Sequence, residues 1–145
     1  MYKNQHAREV STMMSRVMKT MIFFLCIFFL VNCGEQSPAE VESRIANSEV
    51  LTRVDKLCND LPKPKDFQFV RKSISGNSFT SSISYSYKSS TPYREAREFH
   101  NKYLFANGWI IGDSAYYEKG NKQISLSTVD FPGAKYSLYC AEVEK

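Results

Sequence analysis

The stretch "SFTSSISYSYKS", residues 78–89, alternates apolar and hydroxyl side chains along its length. In a β-strand, successive side chains point to opposite faces of the sheet. One face of this segment is apolar and carries Phe79, Ile83, Tyr85 and Tyr87. The other face carries Thr80, Ser82, Ser84 and Ser86. This clean period of two predicts a half-buried strand of an antiparallel sheet that packs on one side only.

Further strands are predicted on both sides of this segment. The preceding "DFQFVRKSI", residues 66–74, predicts a partner strand joined to it by a turn at Gly76–Asn77. Downstream, "WIIGDSAYYEK" and "KQISLSTVD" predict two strands joined by a two-residue hairpin turn at Gly120–Asn121. The last predicted strand is "YSLYCAEV", residues 136–143.

Two helices are predicted where apolar residues recur at helical spacing. The first covers residues 49–61, with Ser48 as its N-cap and Pro62 as its stop signal. The second begins after Thr91, which is a natural N-cap, and ends at Gly108. The predicted fold class is therefore α+β. It has an antiparallel sheet of about five strands, in the order helix–ββ–helix–βββ, with two helices packed on one face.

Two cysteines of this region are predicted to meet in the core. Cys58 lies on the apolar stripe of the first helix, and Cys140 lies on the apolar face of the last strand. A disulfide between them would close a loop of about 83 residues and stabilise the fold by roughly 4.5 kcal/mol. The alternative is a pair of buried, reduced thiols. Their wide spacing argues against a zinc site, so we expect no metal and no cofactor.

The amino-terminal part contains an unbroken apolar run at residues 21–31. Eleven helical residues span only about 16 Å, roughly half the hydrocarbon core of a bilayer. The run has the length of the apolar part of a secretory signal, with Arg16 and Lys19 as the positive residues before it. The alternative is a buried core helix, which would be expected to show a polar face.

The end of this run, "LVNC" from Leu30 to Cys33, resembles the lipobox of bacterial lipoproteins. The resemblance implies that residues 1–32 form a leader and signal peptide that is cleaved, and that Cys33 carries the lipid. Residues 33–47 would then be the lipidated cysteine and a polar tether, and residues 48–145 a single domain. Since Gly34 is not the aspartate that retains such proteins at the inner membrane, the resemblance implies the outer membrane, facing the periplasm.

The charge of the chain is nearly balanced once the leader is set aside. The whole sequence has a formal net charge of +4, but four of its 19 basic residues and one of its 15 acidic residues precede Cys33. The remainder lacks the clustered basic surface that nucleic-acid binding requires, so we expect no nucleic-acid partner. The expected partners are the membrane, through the lipid on Cys33, and an envelope protein or peptidoglycan.

The candidates for catalysis are few. His100 is the only histidine after Cys33, and the sequence contains no Gly-x-Ser-x-Gly motif with a nucleophile to pair with it. We therefore interpret it as a partly buried helix residue. The carboxylates Asp113, Glu118 and Asp130 lie near strand ends or loops, where a glycosidase would need a pair of them in a cleft. We expect a protein that is not an enzyme.

The remaining candidates form a possible binding surface on the hydroxyl-bearing face of the sheet. It comprises Tyr117, Tyr139, Ser82, Ser84 and Ser125. Exposed aromatic rings could stack on a sugar or a partner protein, although an ordinary solvated sheet face would have a similar composition.

The run from "YREAREFHNKYLFANGW" (residues 93–109) through "YYEKGNKQISLS" (residues 116–127) also resembles a loose pattern of small exported bacterial domains. In that pattern a helix ends in Gly-Trp and a hairpin with a Lys-Gly tip follows. The predicted function is a lipid-anchored, non-catalytic accessory or binding module of the cell envelope. The alternatives are an inhibitor or immunity-type protein that inserts the loop "DFPGAK" into a partner, and a small hydrolase.

Overall fold

The computed structural model describes residues 36–112 and 115–144, and these form an α+β fold. Three helices and six strands lie in the described part of the chain. The helices are α1 (Pro38–Ala46), α2 (Glu49–Asp60) and α3 (Tyr93–Ala106). The strands are β1 (Gln68–Asn77), β2 (Thr80–Lys88), β3 (Ile110–Ile111), β4 (Tyr117–Lys119), β5 (Lys122–Phe131) and β6 (Ala134–Val143). The predicted class is confirmed, with one more helix and one more strand than expected.

Helix α1 occupies the segment that was predicted to be a polar tether. The Ser37 hydroxyl accepts a hydrogen bond from the Glu40 amide, and Pro38 occupies the first turn, so the helix has a regular amino-terminal cap. Val41 and Ile45, one turn apart, are buried in the core. The folded unit therefore begins at about Gln36, and the predicted boundary at residue 48 is too late. Helical structure near Val41 was conceivable from the sequence, but two apolar residues in a polar segment were too weak a signal to show that it packs into the core.

Helix α2 packs on the central strands of the sheet. Ser48 caps it as predicted, by accepting a hydrogen bond from the Leu51 amide. Its buried side chains face β2 and β6, and its Cys58 is joined to Cys140 of β6 by a disulfide. The two cysteines that the sequence places on inward-facing positions are thus linked to each other.

The sheet is antiparallel, in the strand order β1-β2-β6-β5-β4-β3. Its inner face, which packs against the helices, carries the apolar residues of the alternating strands. Ile83 lies opposite Cys140, and Tyr85 lies opposite Leu138. The ring of Phe67, before β1, lies 5.3 Å from the rings of both Tyr87 and Tyr136. No helix in the described ranges is long and apolar enough to cross a membrane.

The start of α3 differs from the predicted cap. Thr91 does not cap the helix, because its hydroxyl donates instead to Asp66, at 2.7 Å. The same carboxylate accepts hydrogen bonds from the Ser89 hydroxyl and the Ser90 amide. The hydrogen bonds from the Ser89 hydroxyl and, next in importance, the Thr91 hydroxyl hold the pKa of Asp66 well below its usual range. Asp66 therefore fixes the loop between β2 and α3.

The segment after α3 forms two short strands where one was predicted. Gly108 takes the left-handed conformation (φ 77°) and Trp109 donates back to the Leu104 carbonyl, which is the predicted helix end. The chain then pairs Ile111 with Tyr117, so β3 and β4 are antiparallel neighbours. The reversal at Gly112 therefore divides the predicted strand.

Candidate functional site

The outer face of the sheet, away from the helices, is the candidate site. Strand register brings its residues into rows: Ser73, Ser84, Tyr139 and Ser125 face one another across β1, β2, β6 and β5. The neighbouring rows on the same face of the sheet also carry serines. We call this surface the serine face; its serines are Ser73, Ser75, Ser82, Ser84, Ser86, Ser125, Ser127 and Ser137. Its side chains are short, so it offers hydroxyl groups close to the backbone and little apolar surface.

The predicted residues Ser84, Ser125 and Tyr139 lie together in this surface. Ser84 and Ser125 are both opposite Tyr139, and all three are half-buried. Ser82 is on the same face but is only 2% exposed. Its hydroxyl donates to the Ser75 carbonyl at 2.8 Å and lies 2.9 Å from the Ser75 hydroxyl, so its hydrogen-bonding capacity serves the hairpin.

The prediction that Tyr117 belongs to this surface is wrong. Tyr117 pairs with Ile124 on the inner face and is 4% exposed. Its hydroxyl bonds to Asn101 of α3, and the ring of Phe105 packs against its edge. A two-residue turn at Gly120–Asn121 requires this pairing, because it sets Lys119 opposite Lys122 and so Tyr117 opposite Ile124. The predicted turn therefore already contained the signal that would have corrected the assignment.

The aromatic residue that accompanies Tyr139 is instead Tyr116, which the sequence did not single out. Their ring centroids are 5.6 Å apart. A second aromatic contact lies where β5 turns into β6: the guanidinium of Arg71 stacks on the ring of Phe131, 3.5 Å from its centroid. The serine face thus combines hydroxyl groups, which can donate and accept hydrogen bonds, with two aromatic contacts.

His100 is packed within the protein and away from the serine face. It is 1% exposed, with its Nδ1 atom 2.8 Å from the Ala96 carbonyl of its own helix. Its ring also contacts Phe67 and Phe99. Burial lowers the pKa of His100, so the imidazole is neutral at neutral pH. In this position it is a core residue of α3, as interpreted from the sequence.

A charged cluster lies between the helices and β1. The Lys72 ammonium is 2.9 Å from Glu42 and 3.0 Å from Asp55, and the Tyr85 hydroxyl donates to Asp55 at 2.5 Å. The two carboxylates hold the pKa of Lys72 above its ordinary value despite the opposing effect of burial. Lys72 is thus paired with a carboxylate of each of two helices across the helix–sheet interface, which is a structural role.

Of the other carboxylates singled out from the sequence, Glu118 and Asp130 lie in the described part of the chain. Glu118 accepts a hydrogen bond from Gln123 at 3.2 Å, and Asp130 is exposed near the end of β5. Asp113 lies outside the described residues, as does Cys33. Within residues 36–112 and 115–144, no group of three or more His, Cys, Asp or Glu side chains could hold a metal ion.

The loop "DFPGAK", predicted as an inserting element in the inhibitor hypothesis, is a tight turn. Phe131 and Ala134 pair across Pro132 and Gly133, and Gly133 has a φ of 82° that favours glycine. Since Phe131 is also held by Arg71, the loop presents only a short tip.

A shallow depression of about 620 Å³ lies at the turn between α1 and α2, lined by residues that include Asn47, Glu49 and Arg53. Arg53 there is engaged with Glu142 at 2.8 Å. The guanidinium that lines the depression is therefore already paired.

The comparisons give no family for this chain: no protein-family model, no curated protein and no solved structure matches it. Its function must be argued from its own residues.

Proposed function

We propose that this chain is a lipid-anchored cell-envelope lipoprotein that acts as a non-catalytic accessory or binding module through its serine face. The lipid is attached to Cys33, and the domain faces the periplasm from the outer membrane. The partner is an envelope protein or peptidoglycan.

The observation that carries the proposal is the distribution of the cysteines. Cys58 and Cys140 are paired with each other inside the folded unit of residues 36–145, and Cys33 precedes that unit in the sequence. A disulfide of this kind is typical of proteins that fold in an oxidising compartment outside the cytoplasm. The lipobox-like sequence at Leu30–Cys33 then gives the remaining cysteine a role at the membrane.

The serine face supports the binding role. In the described part of the chain the three helices pack on the opposite face of the sheet, so no helix covers the serine face, within which Ser82 and Ser86 are nevertheless buried. Hydroxyl groups and tyrosine rings are common in surfaces that bind polar polymers and proteins.

The lipid anchor is tested by the intact mass of the protein extracted from membranes. We expect the mass of residues 33–145 with a diacylglyceryl and an acyl group, and a gain of two hydrogens on reduction. Cys33→Ser should abolish the lipid mass and release the protein from membranes. Cys26→Ser is the matched control within the apolar run and should leave both unchanged. A full-length mass without lipid would overturn the proposal.

The binding role is tested by photo-crosslinking in cells. A photoreactive residue replaces Ser84, or replaces the exposed Lys56 on α2 as the control. We expect a defined envelope protein or peptidoglycan fragment to crosslink at position 84 only, and the product to decrease when Tyr139→Ala is added. Equal products at both positions, or products insensitive to Tyr139→Ala, would contradict the serine face as the binding surface.

A further inference from the structure

The point where the chain enters the fold is fixed on the edge of the sheet. The side-chain amide of Gln36 bonds both backbone groups of Ile74: its Nε2 donates to the Ile74 carbonyl at 3.1 Å, and its Oε1 accepts from the Ile74 amide at 2.9 Å. Ile74 belongs to β1, which is an edge strand. Gln36 therefore occupies the place that a neighbouring strand would take, which is one way to protect an open edge.

Two exposed phenylalanines lie on either side of this point. Phe69 is 57% exposed and Phe79 is 70% exposed, and each is five residues from Ile74 along the chain. At about 3.3 Å per residue, each lies within about 17 Å of the position where Gln36 is bound. Phe69 lies near the start of β1 and Phe79 in the turn that follows its end, so a large apolar side chain is exposed at each end of this edge.

We propose that the β1 edge lies against the phospholipid bilayer, with Phe69 and Phe79 at the level of the lipid headgroups. The inference rests on the proposed lipid at Cys33. Only Gly34 and Glu35 separate Cys33 from Gln36, so the Cα atom of the lipid-bearing residue is within about 11 Å of the Cα atom of Gln36, whose side chain is bound to β1. Because α1 is folded onto the domain rather than extended, no long tether holds the domain away from the membrane.

This orientation places the serine face beside the membrane rather than against it. β1 is one edge of the sheet, and β3, at the other edge, is five strands away, or about 24 Å. The sheet would then stand on the bilayer on its β1 edge, with the serine face turned sideways toward the periplasm. Phenylalanine rings at the interface are favourable because their apolar surface leaves water there.

The experiment uses the lipidated full chain, verified by intact mass and reconstituted into vesicles of phosphatidylethanolamine and phosphatidylglycerol. The vesicles are made with or without lipids brominated near the headgroup, which quench tryptophan fluorescence on contact. Phe69→Trp and Phe79→Trp probe the proposed edge. Phe105→Trp and Ile111→Trp are the matched controls, because both positions are exposed and lie toward the opposite edge. The single native tryptophan, Trp109, is buried and provides the background to subtract.

We expect brominated lipid to quench the signal added by Phe69→Trp and Phe79→Trp by about twofold or more, and to leave both control variants nearly unchanged. Equal quenching at all four positions, or none at positions 69 and 79, would overturn the proposed orientation and leave the lipid anchor standing. Self-association through β1, detected as crosslinked dimers that shield positions 69 and 79 from lipid, would also overturn it. Absence of lipid from Cys33 would instead overturn the proposed function itself.

Discussion

The inner and outer faces of the sheet are made of alternate residues of the same strands, yet they are built on different principles. On β6, Tyr136, Leu138 and Cys140 are completely buried against the helices, whereas Ser137 and Tyr139 between them are half-buried. The inner face is held by apolar packing and a disulfide. On the outer face Ser82, Ser86 and Ala141 are buried, but most of the other side chains are hydroxyls that are half-buried or exposed. The comparison teaches that most of the apolar packing lies on the inner face, whereas the outer face depends on small side chains and hydrogen bonds.

The largest effect is expected when the disulfide on the inner face is removed. Cys58→Ala with Cys140→Ala should lower the free energy of unfolding by about 4 kcal/mol, because the link restrains a long loop in the unfolded chain. Urea unfolding followed by circular dichroism measures the change. As a control, reductant should destabilise the parent protein and leave the double variant unaffected. An unchanged urea midpoint after complete reduction would show that inner-face stability does not depend on this bond.

The second largest loss of stability is expected when a buried apolar side chain of the inner face is truncated. Leu138→Ala should cost about 3 kcal/mol, because Leu138 is fully buried between Tyr85 and Leu126 and its removal leaves a cavity. Ser137→Ala, on the adjacent outer position, should change stability by less than about 0.5 kcal/mol. Both values come from the same denaturation experiment. Similar costs at the two positions would mean that the two faces are packed alike, which contradicts the comparison.

Alkaline pH should lower the free energy of unfolding by ionising a buried tyrosine of the inner face. Burial raises the pKa of Tyr87 to about 12, whereas an unfolded tyrosine ionises near 10. The folded state therefore favours the protonated phenol. The resulting contribution of Tyr87 to the free energy of unfolding is complete below pH 10 and is lost as the pH rises toward 12. We expect the free energy of unfolding to fall by about 1–2 kcal/mol between pH 10 and pH 12, with allowance for solvent screening.

The control for the pH effect is Tyr87→Phe, which keeps the ring and removes the titrating group. Thermal unfolding across pH 9 to 12 should show a smaller pH dependence for this variant than for the parent. An identical pH dependence in both proteins would show that Tyr87 does not couple its ionisation to folding.

Much of the fold was predictable because local signals agreed with one another. The alternation in residues 78–89 gave both the strand and its buried face, and the stripe of the first helix gave the inward position of Cys58. The packing of helix α1 into the core was not predicted, because its core contribution comes from only Val41 and Ile45. Its position depends on packing against α2 and β1, which no local pattern expresses.

The candidate site could be predicted from the sequence only where the alternation along a strand showed which residues share a face of the sheet. Ser84, Ser125 and Tyr139 come from long strands with many paired residues, so their shared face was fixed. Tyr117 was misplaced because β4 has only three residues, too few for alternation to distinguish the two faces. The Asp66 interactions were not predictable, since they join residues more than 20 positions apart through side-chain hydroxyls.

The smallest effect distinguishes two serines on the same strand and the same face. Ser82→Ala should cost about 1 kcal/mol, because Ser82 is buried and its hydroxyl bonds to Ser75 on β1. Ser84→Ala should change stability by less than about 0.5 kcal/mol, because Ser84 is only half-buried. Precise urea midpoints for the two variants measure the difference. If Ser84→Ala lowered the stability more than Ser82→Ala, the Ser84 hydroxyl would be needed to hold the sheet together. It would then not be available to bind a partner on the serine face.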